Sequence, residues 1–301
     1  MNVALTGASG FIGSYTAQAL AARGHRVRAL VRASSRRDHI HESVNEFVEG
    51  DYAAPEVQKG LVDGVDAVIH NAIDWDARRD APEDENFQRN VLASLRLLDH
   101  ARLAGVKQFI FVSSVAAYHQ ILPDRPLDEN HPTWPRNTYG ACKAAVESHL
   151  KAYHFEYKMN TSAWRPAAVY GIDPNLKRSQ WYDLIDAARR GQHIHNDRGG
   201  KITHVQDCAD ALALAVGDDS TAGQFYNLVD GYMYWQVAAE LAKEISGSRA
   251  AIDDCKGKGP RNQFDTRKAI AFFDRHGNST ALRRGTEGVR EYVRDLLKRM
   301  A

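Results

Sequence analysis

Tyr139 and Lys143 stand four residues apart in "NTYGACKAAVESHL", a segment with helical character, so both project from one face. A tyrosine at its ordinary pKa of about 10 is a poor base at neutral pH. An ammonium one turn away favours the phenolate and lowers that value. Such a pair suits general acid–base work on an alcohol or ketone. By itself the spacing is common by chance, as two residues on an amphipathic surface. "FVSSVAAY" adds Ser113 and Ser114 at the end of a strand-like run. Ligands of open parallel sheets bind beyond the carboxyl ends of the strands, so Ser114 is placed to hydrogen-bond the oxygen that Tyr139 protonates. The plainer reading of the two serines is a strand-ending turn.

"LTGASGFIG" carries Gly7, Gly10 and Gly13 between the strand-like "NVALTG" and the helix-like "IGSYTAQALAARGH". A tight turn there lets the backbone approach a pyrophosphate, while the helix N-terminus offers free N–H groups and partial positive charge. The spacing GxxGxxG is one residue wider than the usual GxGxxG fingerprint. The context, strand before and helix after, favours a nucleotide seat over an inert turn. In such a fold the residue ending the second strand meets the adenosine ribose, an acid selecting NAD and an arginine accommodating the 2′-phosphate of NADP. "RVRALVRASSRR" ends on Val31 and Arg32, with no acid before Asp38. That predicts NADP(H) over NAD(H), with NAD(H) still possible.

These groups need a scaffold. "NVALTG", "RVRALVR", "VNEFVEGD", "DAVIHNA", "KQFIFVSS" and "SAWRPAAVYG" read as six strands separated by helices, notably "RNVLASLRLLDHARLAG", which closes on Gly105. Alternating strands and helices predict an α/β chain with a doubly wound parallel sheet of Rossmann type. Beyond Gly171 the pattern loosens into a smaller, mainly helical C-terminal substrate lobe. The expected division is 1–170 for dinucleotide binding, with 203–230 returning to it, and 171–202 with 231–301 for substrate, the active site lying between.

With 301 residues, 44% of them hydrophobic and 26% charged, the chain is large enough for a substantial core, and its net charge of +1 gives no sign of nucleic acid or membrane partners. No apolar run reaches the roughly 20 residues that span a bilayer, and no secretory leader is evident. Cys142, Cys208 and Cys255 are isolated, which points to a reducing cytoplasm and no disulfide framework. The pairs His39/His41 and His193/His195 hint at metal, but no carboxylate or cysteine completes either at helical spacing, so no metal is expected. Trp181 and Tyr182 are candidates for substrate contact.

"TGASGFIG", "FVSSVAAY", "YGACK" and "WRPAAVYG" occur in the order and spacing of the extended short-chain dehydrogenase/reductases, the NAD(P)-dependent epimerase/dehydratase family, which the chain resembles over nearly its whole length. "HVQDCADALALAV" is similar to that family's late helix. The resemblance implies that Tyr139 is the acid/base, that Lys143 holds the nicotinamide ribose and tunes Tyr139, and that Ser114 orients the substrate oxygen. It implies cofactor contacts from Gly7, Gly10, Phe11, Ile12, Gly13 and Arg32. Asp51 would meet the adenine edge, Ala72 would line the channel and Asn90 would steady the sheet ends. Arg165 and Pro166 would border the nicotinamide. Taken singly, Asp51 and Asn90 more usually cap a helix or serve a turn.

The chain departs from the nucleotide-sugar members of that family. Ala167 and Ala168 replace an asparagine, and Gly199, Gly200 and Lys201 stand where an arginine precedes "HV", leaving Arg198 or Lys201 as substitutes. The expected reaction is therefore hydride transfer to or from a secondary alcohol or ketone. A nucleotide-sugar epimerase or dehydratase is the first alternative, and a non-catalytic NADP-binding redox sensor the second. A homodimer is the family habit.

Overall fold

The computed structural model describes residues 1–255 and 262–300. In chain order its elements begin with β1 (Asn2–Thr6), α1 (Phe11–Ala22), β2 (Arg26–Val31), β3 (Glu46–Glu49), α2 (Pro55–Val62) and β4 (Ala67–His70). There follow α3 (Trp75–Asp80), α4 (Glu83–Phe87), α5 (Ala93–Leu103), β5 (Gln108–Val112), α6 (Thr138–Tyr157) and β6 (Asn160–Pro166). The remainder comprises β7 (Ala168–Tyr170), α7 (Tyr182–Arg189), β8 (Gly199–His204), α8 (Val205–Ala215), β9 (Gln224–Leu228), β10 (Gly231–Tyr234), α9 (Gln236–Ser246), α10 (Arg267–Arg275) and α11 (Gly285–Met300).

The chain divides into two compact units, Met1–Arg165 with Cys208–Asn227, and Pro166–Asp207 with Leu228–Ala301. The first is built on a seven-stranded sheet in the order β3-β2-β1-β4-β5-β6-β9. The pairs from β3 to β6 are parallel, so the fold is the doubly wound Rossmann type. Its central strands read as apolar runs because helices cover both faces: Val3, Leu5, Val68, Ile69, Phe109 and Ile110 are all fully buried. The strand order reverses between β1 and β4, where Thr6 pairs with His70. That reversal opens a crevice at the carboxyl ends.

The second unit has its own core around Tyr170, Ile185, Ile202, Val289 and Val293. It also holds a three-stranded sheet, β10-β8-β7, which the loose sequence pattern did not predict. "SAWRPAAVYG" forms two strands in different sheets, broken at Ala167 after Pro166. Proline supplies no N–H to a ladder, which favours a break there. Among the described residues no helix is long and apolar enough to cross a membrane.

Candidate active site

The glycine segment turns at the end of β1. Gly7 has φ +70°, a conformation that favours glycine, and a Cβ there would meet the Ala72 backbone N at 3.0 Å. Gly10 is the N-cap of α1, and a Cβ on Gly13 would overlap the Gly7 carbonyl. Backbone therefore crowds this turn from two sides, and Phe11 and Ile12 open a helix whose first N–H groups have no intrahelical acceptors. The Thr6 hydroxyl accepts from the N–H groups of Asn71 and Ala72 at 3.1 and 3.0 Å, fixing the ends of β1 and β4 together. Behind it, Thr6 Oγ1 lies 2.8 Å from His70 Nδ1, and His70 Nε2 lies 2.8 Å from Ser94 Oγ. Complete burial, with the nearby charge of Lys143, lowers the His70 pKa to about 3, so the ring is neutral.

Tyr139 and Lys143 lie on α6, which Asn137 caps by accepting from the Gly140 N–H at 2.9 Å. A Cβ on Gly140 would overlap the Ala116 carbonyl, so this glycine lets α6 close onto the turn after β5. The sequence reading missed it, although the "YG" pair was its signal. That turn begins at Ser114, whose Oγ accepts from the Ala116 N–H at 3.1 Å. Ser114 also lies near enough to the Tyr139 phenol to hold its pKa down against burial. The two predicted partners thus come together.

Lys143 is buried and donates to the Val112 carbonyl at 2.7 Å, with its ammonium 4.6 Å from the Phe111 ring centroid and 5.9 Å from that of Tyr139. Burial lowers its pKa to about 8, against the opposing pull of Glu147. The expected tuning of Tyr139 by Lys143 is not the arrangement found. Burial pushes the Tyr139 phenol above its ordinary value, and the lowering influences are Ser114 and the charge of Arg78. Arg78 lies 5.3 Å from the Tyr139 centroid and 5.2 Å from that of Trp75, and the Trp75 and Tyr139 rings stack at 5.5 Å. Neither Trp75 nor Arg78 stood out in the sequence, because α3 is a short segment with no motif.

A second charged network flanks the turn after β2. Arg89 Nε donates to Asp74 at 2.6 Å and its Nη2 to both oxygens of Asp51, at 3.0 and 2.9 Å. Although burial alone would raise Asp74, the Ala77 N–H and Arg89 hold it below its ordinary value. Asp51 also accepts from the Ala53 N–H at 3.0 Å, which is the turn role open to such a residue. Asn90, in a π-helical turn, donates to the Asp74 carbonyl at 3.0 Å and accepts from its N–H at 2.7 Å. Arg32 is half exposed and 3.6 Å from Asp74. Arg32, Asp51, Asp74 and Arg89 line one open depression of about 640 Å³.

Arg165 does not offer its side chain to a nicotinamide. Its guanidinium is buried, donating to Glu147 at 2.8 and 2.7 Å and to the Tyr118 hydroxyl. Pro166 ends β6. Trp181 is also a core residue, 8% exposed and stacked 5.7 Å from Tyr170, so it is not free for substrate. Arg198 lies against the Trp235 ring at 4.2 Å, and Lys201 donates to Asn262.

Residues 3–228 match the family model of the NAD dependent epimerase/dehydratase family. A UDP-glucose 4-epimerase of Mycolicibacterium smegmatis is 32% identical over 276 residues, 87% of each chain. A 4-hydroxy-2-methyl-3-oxo-4-farnesyl-3,4-dihydroquinoline-1-oxide ketoreductase of Stigmatella aurantiaca is 31% identical over 77% of this chain and 69% of its own. The solved UDP-glucose 4-epimerase of Thermotoga maritima with UDP-glucose superposes with a TM-score of 0.79 at 24% identity, covering 99% of this chain and 100% of that one, which is a likeness of fold.

Proposed function

The chain belongs to the NAD-dependent epimerase/dehydratase family, and from that premise we propose that it performs NADP(H)-linked hydride transfer to or from a secondary alcohol or ketone. The observation that carries this reading is the approach of Ser114, at the end of β5, to Tyr139 on α6, a helix that Gly140 seats against Ala116. In the reductive direction Tyr139 Oη gives its proton to the substrate oxygen while Ser114 Oγ holds that oxygen. Lys143 leaves Val112 to hold the nicotinamide ribose, and its nearby positive charge then stabilises the phenolate left when Tyr139 gives up its proton.

The chain suits a nicotinamide dinucleotide because Gly7, at φ +70°, and Gly13 allow a tight, side-chain-free turn that leads directly into the N-terminus of α1. Phe11 and Ile12 would present N–H groups to the pyrophosphate. Ala72 would line the channel, Asp51 would face the adenine, and Pro166 with the backbone of Arg165 would border the nicotinamide. Asn90 would act indirectly, by fixing Asp74. When bound, the cofactor supplies or accepts the hydride. NADP(H) is favoured because the strand ends on Val31 followed by the half-exposed Arg32, whereas Arg36 and Arg37 already hold Asp38 and Glu49.

The second unit is assigned to substrate recognition. A ketone or alcohol without a nucleotide is preferred because Arg198 and Lys201 are engaged by Trp235 and Asn262. The Mycolicibacterium relative favours a second reading, epimerisation of a nucleotide sugar. Two assays separate them: NADPH consumption over a panel of ketones, and conversion of UDP-glucose with catalytic NAD. Ketone-dependent NADPH loss supports the proposal. Conversion of UDP-glucose without net cofactor change replaces it with epimerisation.

A further inference from the structure

The second histidine pair has a setting that its local sequence does not reveal. Ile194 and Ile252 form an isolated parallel bridge, closed by Ile194 N–H to Ala251 O at 2.8 Å and Asp253 N–H to Ile194 O at 3.0 Å. Ile194 is buried in the core of the second unit, and Ile252 packs against the same core. Side chains alternate along extended backbone, so His193 and His195 project to the opposite, outer face. Asp253 projects there too. The Cys255 N–H is anchored by the Gln236 side chain at 3.1 Å, and Gln236 is itself buried.

The result is convergence across 58 and 60 residues of chain. His195 Nδ1 lies 3.0 Å from Asp253 Oδ2 and 3.2 Å from Cys255 Sγ, while His193 Nε2 lies 2.8 Å from Asp253 Oδ1. Among the described residues this is the one place where three metal-ligating side chains meet. The first pair differs: His39 Nε2 is 3.1 Å from the Ser9 carbonyl, and His41 stacks on Phe47.

Two chemistries use cysteine, histidine and aspartate together. A nucleophilic relay needs the carboxylate on one ring nitrogen and the thiol on the other. Here both address the same nitrogen, Nδ1 of His195, so the relay is broken. One proton on that nitrogen serves only one of its two neighbours, and three lone-pair-bearing atoms lie within 4.8 Å of one another. A cation satisfies all three. Imidazole, carboxylate and thiolate are zinc ligands, bound at about 2.0–2.3 Å in tetrahedral array, with ligand atoms then about 3.5 Å apart. The separations of His195 Nδ1 from Asp253 and from Cys255, 3.0 and 3.2 Å, need open by only about half an ångström or less.

We propose that His195 Nδ1, Asp253 Oδ2 and Cys255 Sγ form a divalent zinc-class metal site on the second unit, clipping the segment around His195 to that around Asp253. The fourth position faces solvent and takes water, because His195 and Asp253 are 69% and 43% exposed in their side chains. His193 is a positioning residue that holds the other oxygen of Asp253.

The test titrates the full chain, freed of metal, with Zn²⁺ by calorimetry, and follows Co²⁺ binding by absorption. One Zn²⁺ per chain is expected, with a Co²⁺–thiolate charge-transfer band in the near ultraviolet. Cys255→Ser and His195→Ala should each weaken Zn²⁺ binding more than tenfold, and Cys255→Ser should abolish the band. His193→Ala should weaken binding by about 10- to 100-fold yet retain the band. No Zn²⁺ binding by the native chain, or affinity unchanged in both Cys255→Ser and His195→Ala, overturns the site. Loss of the band in His193→Ala overturns the positioning role assigned to that residue.

Discussion

Two ends of the candidate site are built on opposite physical plans. Around Tyr139 the groups are enclosed: Lys143 is buried on Val112 and Phe111, His70 is buried between Thr6 and Ser94, and Gly140 leaves no room for a Cβ. Around Arg32 the groups are charged, paired and open to water, with side-chain exposures of 50% for Arg32, 27% for Arg89 and 45% for Asp51. Low dielectric at the first end makes each charge and hydrogen bond costly to misplace. At the second end solvent screens every pair, so a single contact there is worth little by itself. The enclosed end is thus suited to fixed chemistry, while at the open end a single substitution should change selectivity without disturbing the fold.

The largest effect should come from the enclosed end. Tyr139→Phe removes the proposed proton donor and keeps the ring that stacks on Trp75. Turnover is expected to fall roughly 10²–10⁴-fold, with cofactor affinity nearly unchanged by fluorescence titration. Retention of full turnover would remove Tyr139 from the chemistry and collapse the contrast.

The open end should respond in selectivity. Arg32→Asp reverses the charge offered to a 2′-phosphate and adds a carboxylate beside Asp74. A charge-assisted contact of roughly 1.5–3 kcal/mol corresponds to about a 10- to 150-fold preference. The native chain should therefore prefer NADPH by that order, the variant NADH, and the native preference should shrink as salt rises. Equal or tighter NADH binding by the native chain would assign the open end to NAD.

The same contrast explains what the sequence made legible. Strands buried on both faces leave apolar runs, and glycines forced by backbone crowding leave a pattern, so β1, α1 and the turn at Gly7 could be read directly. Ser114 and Tyr139 lie 25 residues apart yet come near enough for Ser114 to influence the phenol, which a motif on each side could suggest. Arg78 and Trp75 could not be found this way, since they reach Tyr139 from a short helix without periodicity. The burial of the Arg165 side chain could not be read, because its partner, Glu147, sits on α6 and carries no mark of pairing in the sequence. The β7, β8 and β10 sheet was hidden because its strands have three, six and four residues with mixed burial.

Enclosure also predicts an acid limb in stability. Burial lowers the His70 pKa to about 3, below the unfolded value of about 6.5. Between those values the unfolded chain binds the extra proton, so stability rises with pH across that window and is lost on acidification through it. The slope from this one group reaches about 1.4 kcal/mol per pH unit. His70→Gln should lower stability at neutral pH and flatten the slope between about pH 4 and 6, read by urea unfolding at each pH. An unchanged slope would mean that His70 is not held neutral by its burial.

The smallest effect tests a charge that reaches the enclosed end from its rim. Arg78 lies over the Tyr139 ring, where a guanidinium stabilises the phenolate and draws its pKa down against burial. Arg78→Met keeps a long apolar stem against Trp75 and removes the charge. The Tyr139 titration should then move to higher pH. In the reductive direction the protonated phenol is the working form, so the alkaline limb of kcat/KM should extend upward. In the oxidative direction the phenolate is the working form, so the acid limb should move upward too, and activity at neutral pH should fall. Arg78→Lys should restore part of the native profile. Identical profiles for the native chain and Arg78→Met would leave Ser114 as the sole group opposing the burial of Tyr139, and would make the enclosed end independent of its charged rim.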